Sequence, residues 1–386
     1  MFSSNGVINV RAQHSFLLVY SIAAALSVAA SAASAAQVSE RQSEHAVFVM
    51  TNDADANEVR VFERGHAGSL REVRSYTTGG RGSGGTIDPL ESQGSLTLSR
   101  DRKWLFAANA GSGTLSVFRV EGARLLLTDE VPSGGAEPNA IATRGEFVYV
   151  LNTAGSSNVV GFHLAHGRLQ RIEDSLRFLG RNEAGAASIA FSPDGRFLLV
   201  TERASNRIDV FRVLANGELS EVNGNPSAAP GAFAATFSPR GTLIVSEAGG
   251  ADASTVSSYA VRADSTLQPI STAVPTFGTA NCWNVVTPDG RFVYVSNAGS
   301  ASISGFAIAP NGSLNALPGT IVGHNADGAT NLDIAVSADG AFLYSLNAGD
   351  GTIGVFAIDQ HSGALTSLGA SGRLAASAGL NGIAAN

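Results

Sequence analysis

Short apolar runs alternate with polar turns in a pattern that recurs along most of the chain. In the clearest copies a Pro-Asp-Gly or Ala-Asp-Gly turn precedes an apolar run that ends in Asn or Glu. These copies are SPDGRFLLVTE (192–202), TPDGRFVYVSN (287–297) and SADGAFLYSLN (337–347). Looser copies are SRDRKWLFAAN (99–109), TRGEFVYVLN (143–152) and SPRGTLIVSE (238–247), and AVFVMTN (46–52) lacks the turn. Alternating apolar residues bounded by turn residues predict β-strands joined by hairpins.

The spacing of these runs predicts a closed repeat architecture. Their ends lie at Asn52, Asn109, Asn152, Glu202, Glu247, Asn297 and Asn347, separated by 57, 43, 50, 45, 50 and 50 residues. In the fourth repeat, four strands A to D are predicted at 188–192, 196–202, 207–213 and 218–222. The sequence therefore predicts an all-β, seven-bladed β-propeller of four-stranded antiparallel blades over residues 37–386. The segment LNGIAAN (380–386) is similar to an A strand, so we expect it to join the first blade and close the ring.

The strand directions divide the loops between two faces of the predicted propeller. Strand A runs away from the face that we call upper, and strand B returns to it. The B–C loops and the D–A connections therefore lie around the upper mouth of the central channel, while the Asp-Gly turns lie below. Loops on a rigid scaffold are the usual place for functional residues, so we expect the site at the upper mouth.

Two carboxylates interrupt the series of Asn residues at the ends of the B strands. Asn at this position is expected to cap the turn, whereas Glu202 and Glu247 offer carboxylates that serve as general base or acid in a semi-enclosed site. Arg203 and Arg207 follow in the same loop and match the planar geometry of a substrate carboxylate or phosphate. We therefore predict Glu202, Arg203 and Glu247 as catalytic residues and Arg207 as substrate-binding. The alternative is a salt bridge that joins two loops at the rim.

Other upper-face residues are candidates for binding. Asn152, Asn281, Trp283 and His324 are predicted to contact the substrate, and the D–A connections also bring Asp88 and Glu91 to this face. Trp283 either stacks on a ligand ring or packs in the channel wall. No base accompanies Cys282, so an inert thiol is expected.

No metal or other cofactor is expected from this sequence. Only one histidine, His324, is predicted on the upper face, which argues against a three-histidine metal site. The acidic loop with Asp53, Asp55, Asn57 and Glu58 lacks the glycine and the distal Glu of a calcium loop.

The net charge and residues 1–36 indicate which partners and which cellular compartment to expect. The net charge is −7 without a basic run, so nucleic acid is not an expected partner. Residues 1–36 are predicted to be a secretory signal peptide, because basic residues precede FLLVYSIAAALSVAA (16–30) and small residues follow it. The mature chain is then secreted or periplasmic, without a membrane span. A retained anchor is the alternative, for which the apolar run is short and rich in Ala.

The fourth repeat, SPDGRFLLVTERASNRIDVFRVLANGELSEV (192–222), resembles the seven-bladed lactonase propeller family, and the resemblance extends over nearly all of residues 45–386. This family includes propeller-type 6-phosphogluconolactonase and the eukaryotic carboxymuconate lactonizing enzyme. The resemblance implies opening or closure of a lactone ring. Where the family has Pro-His and Gly-Pro-Arg-His, this chain has Pro138-Asn139 and Gly185-Ala186-Ala187-Ser188. Arg203 stands at the family's Glu position, one place after Glu202.

Two functions remain open from the sequence. The leading one is a lactonase-like hydrolase that acts on a small anionic lactone at the upper mouth. The other is a non-catalytic secreted propeller that binds a sugar, a peptide or a protein partner.

Overall fold

The computed structural model confirms the seven-bladed propeller. It describes residues 45–181, 184–250 and 253–386, so the predicted leader, residues 1–36, lies outside the described part. Seven antiparallel sheets follow one another along the chain, and each has the A strand innermost. Among the described residues no helix is long and apolar enough to cross a membrane.

The strands of the first three blades are as follows. The first blade contains β1 (Ala46–Met50), β2 (Glu58–Arg64) and β3 (Leu70–Thr77). The second contains β4 (Leu96–Leu98), β5 (Trp104–Asn109), β6 (Thr114–Glu121) and β7 (Arg124–Pro132). The third contains β8 (Ala136–Arg144), β9 (Phe147–Ala154), β10 (Asn158–Ala165), β11 (Arg168–Arg171) and the short β12 (Arg177–Phe178), which also pairs with β10.

The remaining blades repeat this order. The fourth contains β13 (Ala186–Phe191), β14 (Phe197–Glu202), β15 (Arg207–Arg212) and β16 (Asn223–Pro226). The fifth contains β17 (Ala232–Phe237), β18 (Thr242–Ala248), β19 (Ser254–Val261) and β20 (Leu267–Pro275). The sixth contains β21 (Asn281–Val286), β22 (Phe292–Asn297), the 3-10 turn Ala298–Ser300, β23 (Ser302–Ile308) and β24 (Leu314–His324). The seventh contains β25 (Asn331–Val336), β26 (Phe342–Asn347), β27 (Thr352–Ile358) and β28 (Leu365–Ser371), after which β29 (Ile383–Ala385) returns to the first blade.

The ring closes where the sequence predicts. Strand β29 pairs antiparallel with β1, with Phe48 opposite Ala384. The side chain of Asn386 also accepts a hydrogen bond from the backbone N–H of Ala46. The inner strand of the first blade therefore comes from the opposite end of the propeller sequence, and this closure covers an edge that an open sheet would expose.

The outer strand of the fourth blade differs from the prediction. We expected strand D at 218–222, but the paired strand is β16, from Asn223 to Pro226. The Ser220 hydroxyl accepts a hydrogen bond of 2.9 Å from the backbone N–H of Arg212. A side-chain oxygen thus stands where a regular strand pair would use a backbone carbonyl. Regular pairing with β15 is thereby delayed until Asn223.

Apolar side chains between neighbouring blades form the core. Phe48, Phe118, Phe211 and Phe306 are fully buried on blade faces. On the lower face, side chains within an Asp-Gly turn bond each other. The Ser192 hydroxyl donates to Asp194, and Gly195 in the same turn has a φ of 76°. This positive φ explains the Gly at that turn position. The lower turns are thus structural, as predicted.

Candidate functional site

A connection between the first two blades enters the central channel. We call residues 86–94 the crossing segment. The Gln93 side chain exchanges two hydrogen bonds of 2.9 Å with the backbone of Asn284 in the sixth blade. The backbone N–H of Gln93 donates to the carbonyl of Ala187 in the fourth blade, also at 2.9 Å. The Ser92 hydroxyl donates to the carbonyl of Asn139 in the third blade. The crossing segment thus joins the inner strands of three blades and lies across the channel.

The backbone of the crossing segment is unusual at both of its acidic residues. Asp88 has a φ of 46° and Glu91 a φ of 43°, both in the left-handed region that non-Gly residues seldom occupy. Such a conformation costs about 1–3 kcal/mol per residue and is often found at functional sites. The Asp88 carboxylate accepts a hydrogen bond of 3.2 Å from the Asn381 side chain. The two left-handed conformations therefore indicate a candidate functional site at the upper mouth.

Three carboxyl groups and one guanidinium define what we call the upper-mouth cluster: Asp88, Glu91, Arg203 and Asp333. Arg203 donates to the Glu91 carboxylate, and both side chains remain partly exposed, at 37% and 56%. Burial raises the pKa of Asp88 well above its usual value, and the Glu91 carboxylate raises it further. A carboxyl group with a raised pKa next to a cation has the properties of a general acid or base.

Asp333 lies deeper in the cluster, on the inner strand β25. Its carboxyl group accepts hydrogen bonds from the backbone N–H groups of Ile334, at 2.9 Å, and Ile383, at 3.3 Å. Burial nevertheless raises the pKa of Asp333 to about 7. Its charge also helps to raise the pKa of Asp88. Burial thus favours the protonated form of both carboxyl groups.

Cys282 borders the same cluster. Burial raises the pKa of its thiol to about 12, and the negative charge of Asp88 contributes to the rise. A thiol in this environment stays protonated at neutral pH, which is unfavourable for a nucleophile.

Glu202, predicted as catalytic, lies inside the fourth blade. Its side chain is fully buried, and it accepts a hydrogen bond from Ser205. Burial raises the pKa of Glu202 to about 7, and the nearby Asp209 carboxylate adds to this rise. The Arg207 guanidinium lies over Gly224, with its Nε 3.8 Å from Oδ1 of Asp209. Glu202, Arg207 and Asp209 therefore form an internal polar group of this blade, while Arg203 projects toward the upper mouth.

Glu247 occupies the same position in the fifth blade and is also fully buried. Its carboxylate accepts hydrogen bonds from the hydroxyls of Ser227, Thr255, Ser257 and Tyr259 and from the backbone N–H of Ala229. This arrangement joins strands of its own blade. The structure thus separates Glu202 and Glu247 into two blade interiors.

Two of the Asn residues at the other strand ends also bond hydroxyl groups of strand C. Asn109 donates to the hydroxyls of Thr114 and Ser116, and Asn297 donates to those of Ser302 and Ser304. The expectation that these residues cap backbone groups is therefore wrong for these two, because their side chains join strand C hydroxyls. Asn52 does bond backbone groups, including the carbonyl of Gly84.

The predicted substrate-binding residues fall in different environments. Asn152 and Asn281 are fully buried, where they bond Asn158 and the carbonyl of Thr255. Trp283 is 1% exposed, donates its Nε1–H to the Ser92 carbonyl at 2.9 Å and packs in the channel wall. His324 ends β24 on the surface. Their contact with a substrate stays a prediction, and none of the four belongs to the upper-mouth cluster.

The sequence analysis missed Asp333 and did not rank Asp88 and Glu91 among the catalytic candidates. A signal for Asp333 exists, because a carboxylate interrupts the otherwise apolar inner strand LDIAVS (332–337). No comparable signal places Asp88 in the channel, since the path of a long connection is not fixed by strand periodicity.

Comparison with known families agrees with this architecture. The family described as "Lactonase, 7-bladed beta-propeller" matches residues 45–180, 167–285 and 253–376. The protein is therefore a seven-bladed propeller with an acidic cluster in its channel mouth. The chain belongs to the lactonase family of seven-bladed β-propellers. A search of curated proteins found no match.

Solved structures with this fold include two whose names refer to lactone hydrolysis. One, from Bacteroides uniformis, is called a "putative 6-phosphogluconolactonase"; it is 20% identical with a TM-score of 0.68, and the match covers 89% of this chain and 100% of that one. The other is the periplasmic gluconolactonase of Pseudomonas aeruginosa, 19% identical with a TM-score of 0.66, with coverage of 87% and 98%. At these identities the likeness shows the fold.

Proposed function

We propose that the protein hydrolyses a small sugar-type lactone at the upper-mouth cluster, outside the cytoplasm. Membership of the lactonase family supports the reaction class. The observation that carries the proposal is the position of Asp88, a carboxyl group with a raised pKa, beside the only guanidinium of the cluster, Arg203. The leader pattern of residues 1–36 supports the compartment, and a structural neighbour is named periplasmic.

The reaction needs a base for water and a donor for the developing oxyanion. Asp88 takes a proton from water, and the water oxygen attacks the carbonyl carbon of the lactone. Arg203 stabilises the oxyanion of the tetrahedral intermediate, with Glu91 holding its guanidinium in place. The carbon–oxygen bond of the ring then breaks, and Asp88 returns the proton to the ring oxygen. Asp333 raises the pKa of Asp88 and thereby makes it a stronger base for the first step, the removal of a proton from water.

The charge of the substrate follows from the charges around Arg203. The sequence suggests an anionic lactone, and that remains a prediction. Because Glu91 already neutralises Arg203, the guanidinium of the cluster offers little net positive charge to attract an anionic substrate. We therefore expect a neutral lactone to be the better substrate at neutral pH.

A lactone panel tests the proposal. The panel pairs gluconolactone with its 6-phosphate, and each is assayed with wild type, Asp88→Asn, Glu202→Gln and the control Glu137→Gln, an exposed upper-face residue. We expect kcat of Asp88→Asn to fall about 100-fold or more, as for loss of a general base. Glu137→Gln should match wild type.

The same panel distinguishes the alternatives. A fall in kcat for Glu202→Gln, with Asp88→Asn unchanged, would move the base into the fourth blade as the sequence predicted. An absence of turnover on every lactone would overturn the proposal and favour the non-catalytic binding propeller.

A further inference from the structure

A cavity lies at the end of the channel opposite the upper-mouth cluster. It has a volume of about 400 Å³ and is lined by the lower halves of the inner strands and turns of the second to fifth blades. Gln93 forms part of its lining, and its bonds to Ala187 and Asn284 place the crossing segment between this cavity and the upper mouth. A cavity of this volume falls in the range of small-molecule sites.

Two arginines in this lining have no partner. Among the described residues, neither Arg100 nor Arg144 has a side-chain hydrogen bond or a salt bridge, although both line the cavity. The Nε atom of Arg144 is buried and unpaired. Leaving a buried donor of a charged group unpaired is unfavourable, so an oxyanion that accepted from it would be stabilised.

Two other arginines beside lower turns are paired with a carboxylate. Arg196 bonds Asp194 and Arg291 bonds Asp289, each across its own Asp-Gly turn. The carboxylate nearest to Arg100 in sequence, Asp101, is instead bonded by Ser99 and by the backbone of Lys103. The second and third blades therefore leave two guanidiniums free at one cavity.

The rest of the lining indicates the kind of molecule that would fit. Phe191 and Phe237 give an apolar wall, and Thr97 and Thr143 add hydroxyls. We propose that this cavity, the lower-mouth site, binds a small organic carboxylate with an apolar body. The carboxylate would accept from Arg100 and Arg144, and the body would lie against the two phenylalanines. This proposal is independent of lactone hydrolysis, because none of these residues belongs to the upper-mouth cluster.

Calorimetric titration with three small molecules tests the proposal. Benzoate has the charge and the apolar body, benzamide has the body without the charge, and acetate has the charge without the body. We expect saturable binding of benzoate. Benzamide should bind at least about tenfold more weakly because it loses a charged hydrogen bond, and acetate should bind at least about tenfold more weakly because it buries no apolar ring. The proposal would be overturned if benzamide or acetate bound with the same affinity as benzoate.

Variants locate the binding. Arg144→Gln and Arg100→Gln should each weaken benzoate binding about tenfold or more. Both variants should fold normally, because neither side chain makes a bond within the chain. Arg212→Gln, an equal charge change at the end of β15, and Arg203→Gln, at the upper mouth, should leave binding unchanged. The proposal fails if wild type does not bind benzoate, if neither cavity variant differs from wild type, or if Arg203→Gln abolishes binding.

Discussion

Asp333 belongs to the upper-mouth cluster, and its protonation also affects the stability of the fold. Its side chain lies within an apolar inner strand at 3% exposure, and burial raises its pKa to about 7. An unfolded chain would lose this proton near pH 4. Between these values the folded state holds a proton that the unfolded state has released, so the contribution of Asp333 to stability decreases as pH rises from about 4 to about 7. Above pH 7 the buried charge carries its full cost.

Replacement by Asn should remove this pH dependence. A carboxyl group that titrates near 7 instead of near 4 carries a cost of about 4 kcal/mol when ionised. Relative to wild type, Asp333→Asn should therefore gain free energy of unfolding between pH 5 and pH 8, as measured by urea denaturation at both values. Glu173→Gln, on the surface, is the control and should show no such change. A pH-independent difference between Asp333→Asn and wild type would contradict the assigned pKa.

The residue scale also shows what the sequence could not predict. Glu202 and Glu247 were identifiable because they replace Asn at the ends of the B strands, and the structure explains the replacement by bonds within each blade. The repeat fixes the position of such a residue along its strand. It does not determine whether the side chain turns toward the channel or toward strand C. Asp88 lies in the cluster because of a connection outside the repeat.

At the scale of elements, the chain leading into the crossing segment depends on a close approach of two backbones. Gly82 lies against Asn52, where a Cβ atom would come within 2.1 Å of the Asn52 carbonyl carbon. Hydrogen bonds from the backbone N–H groups of Gly82 and Gly84 to the carbonyls of Asp53 and Asn52 hold this approach. Asn52 ends the strand-B sequence of the first blade, so the chain leading into the crossing segment is held against the repeat at this point.

A methyl group at Gly82 should therefore displace the chain leading into the crossing segment. We expect Gly82→Ala to lower the free energy of unfolding by about 1–3 kcal/mol through overpacking. It should also lower lactone turnover, because Asp88 and Glu91 follow in the same connection. Gly180→Ala is the matched control, because a Cβ atom there meets nothing within 4 Å. Urea denaturation and the lactone assay on both variants check this. Equal stability of the two variants would show that the chain leading into the crossing segment adapts without cost.

At the scale of the whole molecule, the repeat predicted seven blades and their closure because each blade needs a neighbour on both faces. The separation of two channel mouths could not be predicted in this way. It depends on Gln93, whose bonds to the fourth and sixth blades join inner strands far apart in sequence. The last residues of the propeller also support the cluster, since Asn381, just before β29, bonds Asp88 and the Ile383 N–H in β29 bonds Asp333.

Removal of residues 381–386 should therefore affect the ring as a unit. The deletion exposes the edge of β1 and frees two carboxyl groups from their donors. We expect a lower urea midpoint at both tryptophans, Trp104 in the second blade and Trp283 in the sixth, measured by fluorescence in variants that retain one of them. Thr366→Asp, which adds a charge on the exposed outer strand β28, should stay within about 0.5 kcal/mol of wild type. A midpoint that fell at only one tryptophan would show that the blades unfold independently, and an unchanged midpoint at both would show that closure by β29 does not stabilise the ring.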